Sequence, residues 1–321
     1  MKKIAVLADY LEPSHHALID STAARCGFAV DYYPDCRVPA ELAGTYEVVH
    51  GMPKPGDLKT FTGMKWFCGS FAGVDAYLDD ALYPSPEVML SNSSGAYGVT
   101  IAEHLIMVTL MLLRHADTYL HHADAHRWGP VMPMRSIIGS TITVLGTGDI
   151  GTEFARRAKA MGAKEIRGVR RTKKAADPAF DGVYTHAELD SLLPDTDILV
   201  MALPSTADTV GILSRDRIAL LPETAYVVNV GRGTAIDQPA LVEALNAGKL
   251  AGAALDVFEK EPIPAGDPVW DAKNLLITPH ISGQMSLGYT RGKNVALFCE
   301  DLENYAAGRP LKRYVDRKIG Y

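Results

Sequence analysis

The sequence has few cysteines and no excess of positive charge. The four cysteines in 321 residues are scattered without C-x-x-C spacing, at Cys26, Cys36, Cys68 and Cys299. This spacing argues against a disulfide framework and against a zinc site, so we expect reduced thiols. The formal net charge is −6. Because binding to a polyanion requires a basic face, we expect no nucleic-acid partner.

Long apolar runs are also missing. The longest apolar stretch, within residues 101–113, carries Glu103 and His104 and is too short to span a membrane. The apolar run after the basic start Met1-Lys2-Lys3 is short and is interrupted by Asp9, which is not typical of a signal peptide. We therefore expect a globular cytoplasmic protein with no membrane association. Its length favours two domains.

The most informative stretch is residues 141–151, with the sequence T-I-T-V-L-G-T-G-D-I-G. The β-branched residues predict a buried strand, and Gly146, Gly148 and Gly151 follow at G-x-G-x-x-G spacing before a helix predicted over 153–161. In that pattern the first glycine permits a tight turn, the second leaves space for a diphosphate, and the third lets helix and strand pack closely. The amides at the helix N-terminus would face the anion. This stretch predicts a dinucleotide site, the alternative being a glycine-rich turn of another α/β protein.

Apolar runs flank this motif on both sides. Before it, strands are predicted at 4–7, 29–33, 48–50, 66–69 and 88–90, and after it at 166–169, 197–203, 225–230, 250–256 and 275–278. Helical stretches at 188–193, 215–221 and 238–247 separate several of the later strands. The alternation predicts an α/β protein with doubly wound parallel sheets, in which ligands bind beyond the carboxyl ends of the strands.

Residues Thr100 to His126 form one long helical stretch with a wide apolar face. More apolar surface than one packing face needs indicates an interdomain helix or a homodimer interface. His122 and His126 share a face of this helix, but no carboxylate at metal spacing accompanies them, so we expect no metal site. Trp128, just beyond, is a candidate for contact with a partner's pocket.

The choice of nicotinamide cofactor depends on the end of the strand that follows the glycine motif. An acidic residue there would hold the ribose of NAD. Glu165 has the right distance in sequence but begins the strand, whereas Arg170 ends it. The segment Arg170-Arg171-Thr172-Lys173-Lys174 offers cations and a hydroxyl suited to a 2′-phosphate. We therefore predict NADP(H), with NAD(H) as the second choice and a solvated basic loop as the alternative.

Polar residues follow the later strands in four segments. These are Ala202-Leu203-Pro204, Val230-Gly231-Arg232-Gly233, the segment from Leu255 to Pro262, and Thr278-Pro279-His280-Ile281-Ser282-Gly283. An arginine, a carboxylate and a histidine beside a nicotinamide are the set that reduction of a 2-oxo acid requires.

In this order and spacing, these segments resemble the D-isomer-specific 2-hydroxyacid dehydrogenases. The likeness covers nearly the whole chain and includes Ser70 to Asp75, Ala102-Glu103-His104 and Val315-Asp316-Arg317. It implies that the protein is an NAD(P)-dependent reductase of small 2-oxo acids to D-2-hydroxy acids.

The resemblance also implies catalytic roles. Arg232 would bind the substrate carboxylate and polarise the 2-oxo group, and His280 would donate a proton as hydride arrives. Glu261 would favour the charged imidazolium. Glu259 is a competing candidate of lower rank, because Glu261 keeps the motif's five-residue offset from Asp256.

Further positions match the family's binding residues. The expected cofactor contacts are Gly146, Gly148, Asp149, Ile150, Gly151, Arg170, Arg171, Thr172, Leu203, Pro204, Thr209, Val230, Gly231, Asp256 and Gly283. The expected substrate contacts are Ala72, Gly73 and Met52, the last of which is equally plausible in core packing. The fold is expected to comprise a flavodoxin-like substrate domain (1–95), a Rossmann dinucleotide-binding domain (96–285) and a C-terminal helix (286–321) that returns to the substrate domain.

Two positions depart from the family pattern. Asp149 stands where arginine is more frequent and would repel a diphosphate, and Ala202 stands where many members have histidine. The fold also occurs in transcriptional corepressors, so a cofactor-sensing interaction protein is the alternative function. Formate or phosphite oxidation is less expected, because formate enzymes of this fold usually lack the glutamate next to the histidine.

Overall fold

A computed structural model describes residues 1–173 and 177–321. The chain divides into two compact units, one formed by Met1–Tyr97 with Gln284–Tyr321 and the other by Gly98–Gly283.

The described residues form thirteen strands, eight α-helices and several short 3₁₀ helices. The strands are β1 Lys2–Leu7, β2 Phe28–Tyr32, β3 Val48–Gly51, β4 Trp66–Gly69, β5 Met89–Ser91, β6 Thr141–Leu145, β7 Glu165–Arg170, β8 Gly182–Thr185, β9 Ile198–Met201, β10 Tyr226–Asn229, β11 Gly252–Leu255, β12 Leu275–Ile277 and β13 Tyr314–Val315. The α-helices are α1 Pro13–Arg25, α2 Ala40–Ala43, α3 Gly98–Leu113, α4 Ala116–Asp124, α5 Asp149–Ala160, α6 Arg215–Leu220, α7 Gln238–Asn246 and α8 Gly288–Ala306. Short 3₁₀ helices cover Pro55–Thr60, Asp75–Tyr77, Asp80–Leu82, His186–Ser191, Leu193–Asp195, Gly233–Ala235 and Pro268–Asp271.

The first unit is built on a six-stranded sheet of order β13-β5-β4-β3-β1-β2. Its strands are parallel except β13, which pairs antiparallel with β5. Both faces of the sheet are covered: Ile4 and Val6 of β1 belong to one apolar cluster, and the alternating Ala5 and Leu7 belong to another. A strand buried on both sides has the continuous apolar sequence seen in β1.

The second unit is built on a parallel seven-stranded sheet of order β12-β11-β10-β9-β6-β7-β8. The chain runs outward from β6 through β7 and β8 and then returns to β9 on the other side of β6. The strand order therefore reverses between β6 and β9, the place where ligands bind in open α/β sheets. The two parallel sheets confirm the predicted fold class.

The helix predicted from Thr100 to His126 is not continuous. It is broken into α3 and α4, which are bent by 66° relative to each other. His115, at the break, has φ of 54°, a left-handed conformation that interrupts right-handed helical geometry. His126 also has a positive φ and lies beyond the end of α4, so the expectation that His122 and His126 share a helix face was wrong.

None of the described helices alone has both the length and the apolar character required to cross a bilayer. Those criteria are met only when α3 and α4 are counted together across their bend.

Candidate active site

The glycine turn between β6 and α5 has the conformation that its sequence requires. Gly146 has φ of +100°, and a Cβ at this position would lie 2.6 Å from the carbonyl oxygen of Ala202. A Cβ on Gly151 would lie 1.9 Å from the carbonyl oxygen of Gly146, which excludes any side chain. Gly148 caps the helix and is exposed, and a Cβ placed on it would meet no atom within 4 Å. The turn therefore presents the α5 N-terminus to open space, as an anion site requires.

Asp149 begins α5, and its carboxylate is bound to another helix. Its Oδ2 accepts a hydrogen bond of 2.7 Å from the backbone N–H of Gly98, the first residue of α3. A carboxylate is stabilised at a helix N-terminus. The carboxylate that departs from the family pattern thus has a structural partner, and Ile150 beside it is partly exposed.

The two ends of β7 differ in charge, as the sequence predicts. Glu165 begins the strand and forms an ion pair of 2.7 Å with Arg167, whereas Arg170 ends the strand. Arg171 and Thr172 follow and are exposed. Lys174, the last residue of the basic segment, lies outside the described residues. The carboxyl end of β7 thus presents guanidinium groups and not a ribose-binding carboxylate.

The loop after β9 is closed by Thr209. Its Oγ1 donates to the carbonyl oxygen of Pro204 at 2.6 Å and accepts from the N–H of Thr206 at 2.8 Å. Leu203 is buried, and Pro204 is exposed. This loop and the glycine turn follow the adjacent strands β9 and β6, one on each side of the switch point.

Arg232 lies on a turn that a buried asparagine holds. Asn229, the last residue of β10, is fully buried; its Oδ1 accepts from the N–H of Gly231 and its Nδ2 donates to the carbonyl oxygen of Arg232, both at 2.9 Å. Arg232 Nη1 donates to the Gly231 carbonyl oxygen at 2.7 Å. Val230 and Gly231 are buried at the start of the turn. Sequence reasoning missed Asn229, whose only signal was an amide side chain directly preceding the Val-Gly-Arg-Gly segment.

His280 and Glu261 are in direct contact. His280 Nδ1 lies 2.6 Å from Glu261 Oε2, while Glu261 Oε1 accepts from the N–H of Phe258 at 2.8 Å. Of the two glutamates considered, Glu261 is thus the partner of His280. The backbone N–H of Glu259 donates to Gln238 Oε1 at 3.4 Å. A carboxylate on Nδ1 fixes the proton of that nitrogen and the orientation of the ring.

Asp256 holds the segment that carries His280. It is 2% exposed, and its carboxylate accepts from Thr278 Oγ1 at 2.6 Å, from the N–H of Ile281 at 2.9 Å and from the N–H of Ser282 at 3.0 Å. Its carbonyl oxygen accepts from the N–H of His280 at 2.9 Å. These bonds stabilise His280 at φ of 50°, a conformation that non-glycine residues rarely adopt. Asp256 therefore positions His280.

His104, on α3, extends this arrangement. Its Nε2 lies 3.3 Å from Thr278 Oγ1, and because that hydroxyl donates to Asp256, it accepts from His104. Burial lowers the pKa of His104, and Asp256 opposes the shift. A neutral imidazole with its proton on Nε2 is the form that this hydrogen bond needs. The sequence contained His104 in a motif but did not indicate this contact.

The expected substrate residues lie in the first unit. Ala72 and Gly73 follow β4 and are partly exposed, and Met52 follows β3 with 37% of its surface exposed. Gly283, the last residue of the second unit, follows the His280 segment and is partly exposed.

Within residues 1–173 and 177–321, no three His, Cys, Asp or Glu side chains gather in a way that could hold a metal ion.

Arg232, Glu261 and His280 follow three neighbouring strands, β10, β11 and β12, at their carboxyl ends. A dinucleotide turn on β6 and this polar set in one parallel sheet define an NAD(P)-dependent oxidoreductase.

Comparison with known proteins identifies the family. The domain described as "D-isomer specific 2-hydroxyacid dehydrogenase, NAD binding domain" matches residues 106–282. Glyoxylate/hydroxypyruvate reductase A of Klebsiella pneumoniae strain 342 is 32% identical over 257 residues, which cover 78% of this chain and 80% of that protein. The chain therefore belongs to the D-isomer-specific 2-hydroxyacid dehydrogenase family.

Solved structures agree with this assignment. The NADPH-dependent glyoxylate/hydroxypyruvate reductase of Sinorhizobium meliloti, in complex with NADP and sulfate, has a TM-score of 0.82 at 26% identity and covers 100% of both chains. The D-isomer specific 2-hydroxyacid dehydrogenase of Xanthobacter autotrophicus Py2, in complex with NADPH and MES, has a TM-score of 0.82 at 28% identity and covers 100% of this chain and 99% of that chain.

Proposed function

We propose that this protein reduces a small 2-oxo acid to the D-2-hydroxy acid with NADPH. The observation that carries the proposal is the His280–Glu261 pair. Asp256, which directly follows β11, holds the His280 segment, and the Arg232 turn follows the adjacent strand β10. A proton donor with a fixed carboxylate partner and a guanidinium for an anionic substrate are the groups that carbonyl reduction needs.

The proposed cofactor is NADP(H), with NAD(H) as the second choice. The N-terminus of α5, which faces open space at Gly148, suits a diphosphate, and the cations at the end of β7 suit a 2′-phosphate. The structural neighbours in complex with NADP and NADPH support this choice. When bound, the cofactor supplies the hydride. The proposed contacts are Gly146, Gly148, Asp149, Ile150, Gly151, Arg170, Arg171, Thr172, Leu203, Pro204, Thr209, Val230, Gly231, Asp256 and Gly283.

In the proposed mechanism, His280 donates a proton from Nε2 to the carbonyl oxygen of the substrate. Glu261 holds the imidazole in place through its contact with Nδ1. Arg232 binds the substrate carboxylate and polarises the 2-oxo group. Ala72, Gly73 and Met52 are the proposed substrate contacts of the first unit.

The relatives named glyoxylate/hydroxypyruvate reductase make these two acids the first candidates. The test is a panel of 2-oxo acids of increasing side-chain size, assayed with NADPH and with NADH by loss of absorbance of the reduced nicotinamide. We expect reduction of at least one acid, faster with NADPH. A flat response across the panel with both cofactors, together with tight cofactor binding, would instead support the cofactor-sensing function.

We also propose that the protein is a homodimer formed through the α3–α4 region and the segment after it. Met107 on α3 is 47% exposed, Leu120 on α4 is 62% exposed, and Trp128 and Met132 beyond α4 are largely exposed. Large apolar side chains exposed along one segment indicate an interaction site. Sedimentation of the wild-type protein and of the Leu120→Glu variant tests this, since a dimer should become monomeric in the variant.

The cytoplasm is the proposed compartment. All four cysteines are free thiols, as a reducing environment favours.

A further inference from the structure

The loop that follows β4 is anchored to the segment 92–97 through its carbonyl oxygens. Each carbonyl from Gly69 to Ala72 accepts a hydrogen bond from the segment 92–97. The bonds are Ser93 Oγ to Gly69 O at 2.9 Å, Tyr97 Oη to Ser70 O at 2.6 Å, Ser93 N to Phe71 O at 2.9 Å and Asn92 Nδ2 to Ala72 O at 2.6 Å. Four consecutive carbonyls bound to one neighbouring segment fix the orientation of the intervening peptide planes.

The amides of the same loop behave differently. In the described part of the chain, the backbone N–H groups of Ala72 and Gly73 take part in no hydrogen bond. Both residues are partly exposed. Backbone N–H groups left open side by side form a concave site of positive partial charge that suits a carboxylate.

A buried polar network lies behind the loop. Asn294 on α8 is fully buried; its Nδ2 donates to Ser93 Oγ at 2.5 Å, and its Oδ1 lies 2.8 Å from the Tyr10 hydroxyl. The Tyr10 hydroxyl also lies 2.7 Å from Ser70 Oγ. Burial raises the pKa of Tyr10, so the hydroxyl keeps its proton and bridges Asn294 and Ser70. The network thus connects α8 and the residues after β1 to Gly69, Ser70 and Phe71 of the anchored loop.

This network is packed among buried apolar side chains. Asn294 and Ser93 are at most 2% exposed, and apolar side chains such as Phe298 and Val295 share the same helix and are also buried. Buried polar groups are costly unless each finds a partner, and when all are satisfied they hold one arrangement rigidly. The arrangement held here is that of the loop with the open amides.

We propose that Tyr10, Asn294, Ser93 and Tyr97 are positioning residues, which hold the Gly69–Gly73 loop so that the amides of Ala72 and Gly73 can bind the substrate carboxylate. This inference rests on the proposed function, because the loop matters to turnover only if a 2-oxo acid is the substrate. It assigns a role to four side chains that do not themselves touch the substrate.

The test compares two variants with two matched controls in the first unit. Tyr97→Phe removes only the hydroxyl that donates to the loop, and Asn294→Leu removes the centre of the network. Tyr305→Phe removes a hydroxyl that donates to Glu47 Oε1 at 2.8 Å, and Asn304→Leu removes an amide from the same helix that accepts from Arg309 at 3.0 Å. Neither control residue contacts the loop. Thermal unfolding identifies any variant that fails to fold, in which case Tyr97→Phe carries the test.

For Tyr97→Phe we expect KM for the 2-oxo acid to rise by about three- to tenfold, with a similar or larger rise for Asn294→Leu. Turnover at saturation should stay within about twofold of wild type, because the loop contributes binding in ground and transition states alike. NADPH affinity should not change, since the proposed cofactor residues lie in Gly98–Gly283. An unchanged KM in both variants, or an equal rise in the controls, would overturn the inference.

Binding of oxamate, an unreactive analogue of 2-oxo acids, to the NADPH complex separates this inference from the proposed function. If wild type turns over 2-oxo acids but the variants keep its KM and its oxamate affinity, the positioning role fails and the function stands. If wild type binds oxamate without turning over any 2-oxo acid and the variants lose that binding, the function fails and the positioning role stands. If wild type neither turns over nor binds oxamate, both fail.

Discussion

At the scale of single residues, the proposed role of His280 as proton donor depends on which carboxylate contacts its ring. Two glutamates stand two positions apart after β11, and only Glu261 bonds to the imidazole. The second oxygen of Glu261 accepts from the Phe258 N–H, which fixes the carboxylate against the ring. One glutamate therefore supplies the negative charge next to His280, while its neighbour serves as a natural control.

Glu261→Gln should keep the shape of this contact and remove its charge. Because an amide at this position forms a weaker hydrogen bond to the imidazole than a carboxylate does, we expect the reductive rate at neutral pH to fall by about 10- to 100-fold. Steady-state kcat/KM for the 2-oxo acid with NADPH measures this effect. Glu259→Gln should leave kcat/KM unchanged, and an equal effect of the two substitutions would contradict the assignment of Glu261.

His50 allows a separate prediction about stability. It is fully buried at the end of β3, its Nδ1 lies 3.2 Å from the carbonyl oxygen of Cys68, and burial lowers its pKa from 6.5 to about 4. Between these values the unfolded chain binds a proton that the folded chain does not. The free energy of unfolding therefore rises with pH across this window. The contribution that neutral His50 makes to it is lost as the pH falls through the same window.

His50→Asn keeps an N–H donor for the Cys68 carbonyl and removes the titrating group. We expect the variant to lose up to about 3 kcal/mol of the pH dependence of unfolding between pH 6.5 and 4. Urea unfolding followed by fluorescence of Trp66, which is buried in the same unit, measures this difference. The packing cost of the substitution is given by the comparison at pH 8, and an unchanged slope would show that His50 is not the group responsible.

At the scale of elements, loops after three adjacent strands carry the proposed catalytic set, and buried side chains fix two of these loops. Asn229 holds the Arg232 turn, and Asp256 holds the His280 segment with Thr278 between Asp256 and His104. These contacts make the segment rigid although His280 itself is exposed.

Thr278→Val should loosen the His280 segment without altering its charge. We expect kcat to fall by about 3- to 30-fold with little change in NADPH affinity, because the buried carboxylate of Asp256 loses one of its hydrogen-bond donors. Steady-state kinetics and cofactor titration measure the two quantities. Thr143→Val, which removes a buried hydroxyl contact with Thr196 in the same sheet, is the matched control. Equal losses of kcat in both variants would show that Thr278 contributes only to the stability of the fold.

The sequence predicted most of these elements because their signals are local. The apolar runs located most strands, and the glycine spacing located the turn before α5. The short strands β8 and β13 were not predicted, since neither contains a run of more than two apolar residues. The break at His115 was missed because a left-handed residue leaves no mark in an apolar pattern.

The candidate site was predictable in part. Arg232, Glu261 and His280 were identified from their resemblance to a family, and composition or spacing alone would not have distinguished His280 from a core histidine. Asn229, Thr278 and His104 were not assigned roles. The contact between His104 and Thr278 joins residues 174 positions apart, and only the fold brings such residues together.

At the scale of the whole molecule, the net charge of −6 opposes an anionic cofactor. The guanidinium groups at the carboxyl end of β7 give this edge of the sheet a local positive charge. The strand order of the sheet predicts that a dinucleotide binds at the same edge. In the proposed function, selection of NADP(H) thus depends on a few side chains and not on the overall charge.

Arg170→Asp combined with Arg171→Ala should reverse that local charge. We expect the ratio of kcat/KM for NADPH to that for NADH to fall by at least about 100-fold, because charge-assisted bonds to the 2′-phosphate are lost and a carboxylate for the ribose is gained. Lys164→Ala, which removes a positive charge before the other end of β7, is the control. An unchanged ratio in the double variant would show that Arg170 and Arg171 do not select the cofactor.

The central claim is that His280 is the proton donor in the reduction of a 2-oxo acid. The most direct measurement is single-turnover reduction by His280→Ala with NADPH already bound, beside a titration that confirms wild-type cofactor affinity. We predict a loss of at least about 100-fold in the rate of nicotinamide oxidation with cofactor binding intact. A rate close to that of wild type, with cofactor bound, would contradict the account.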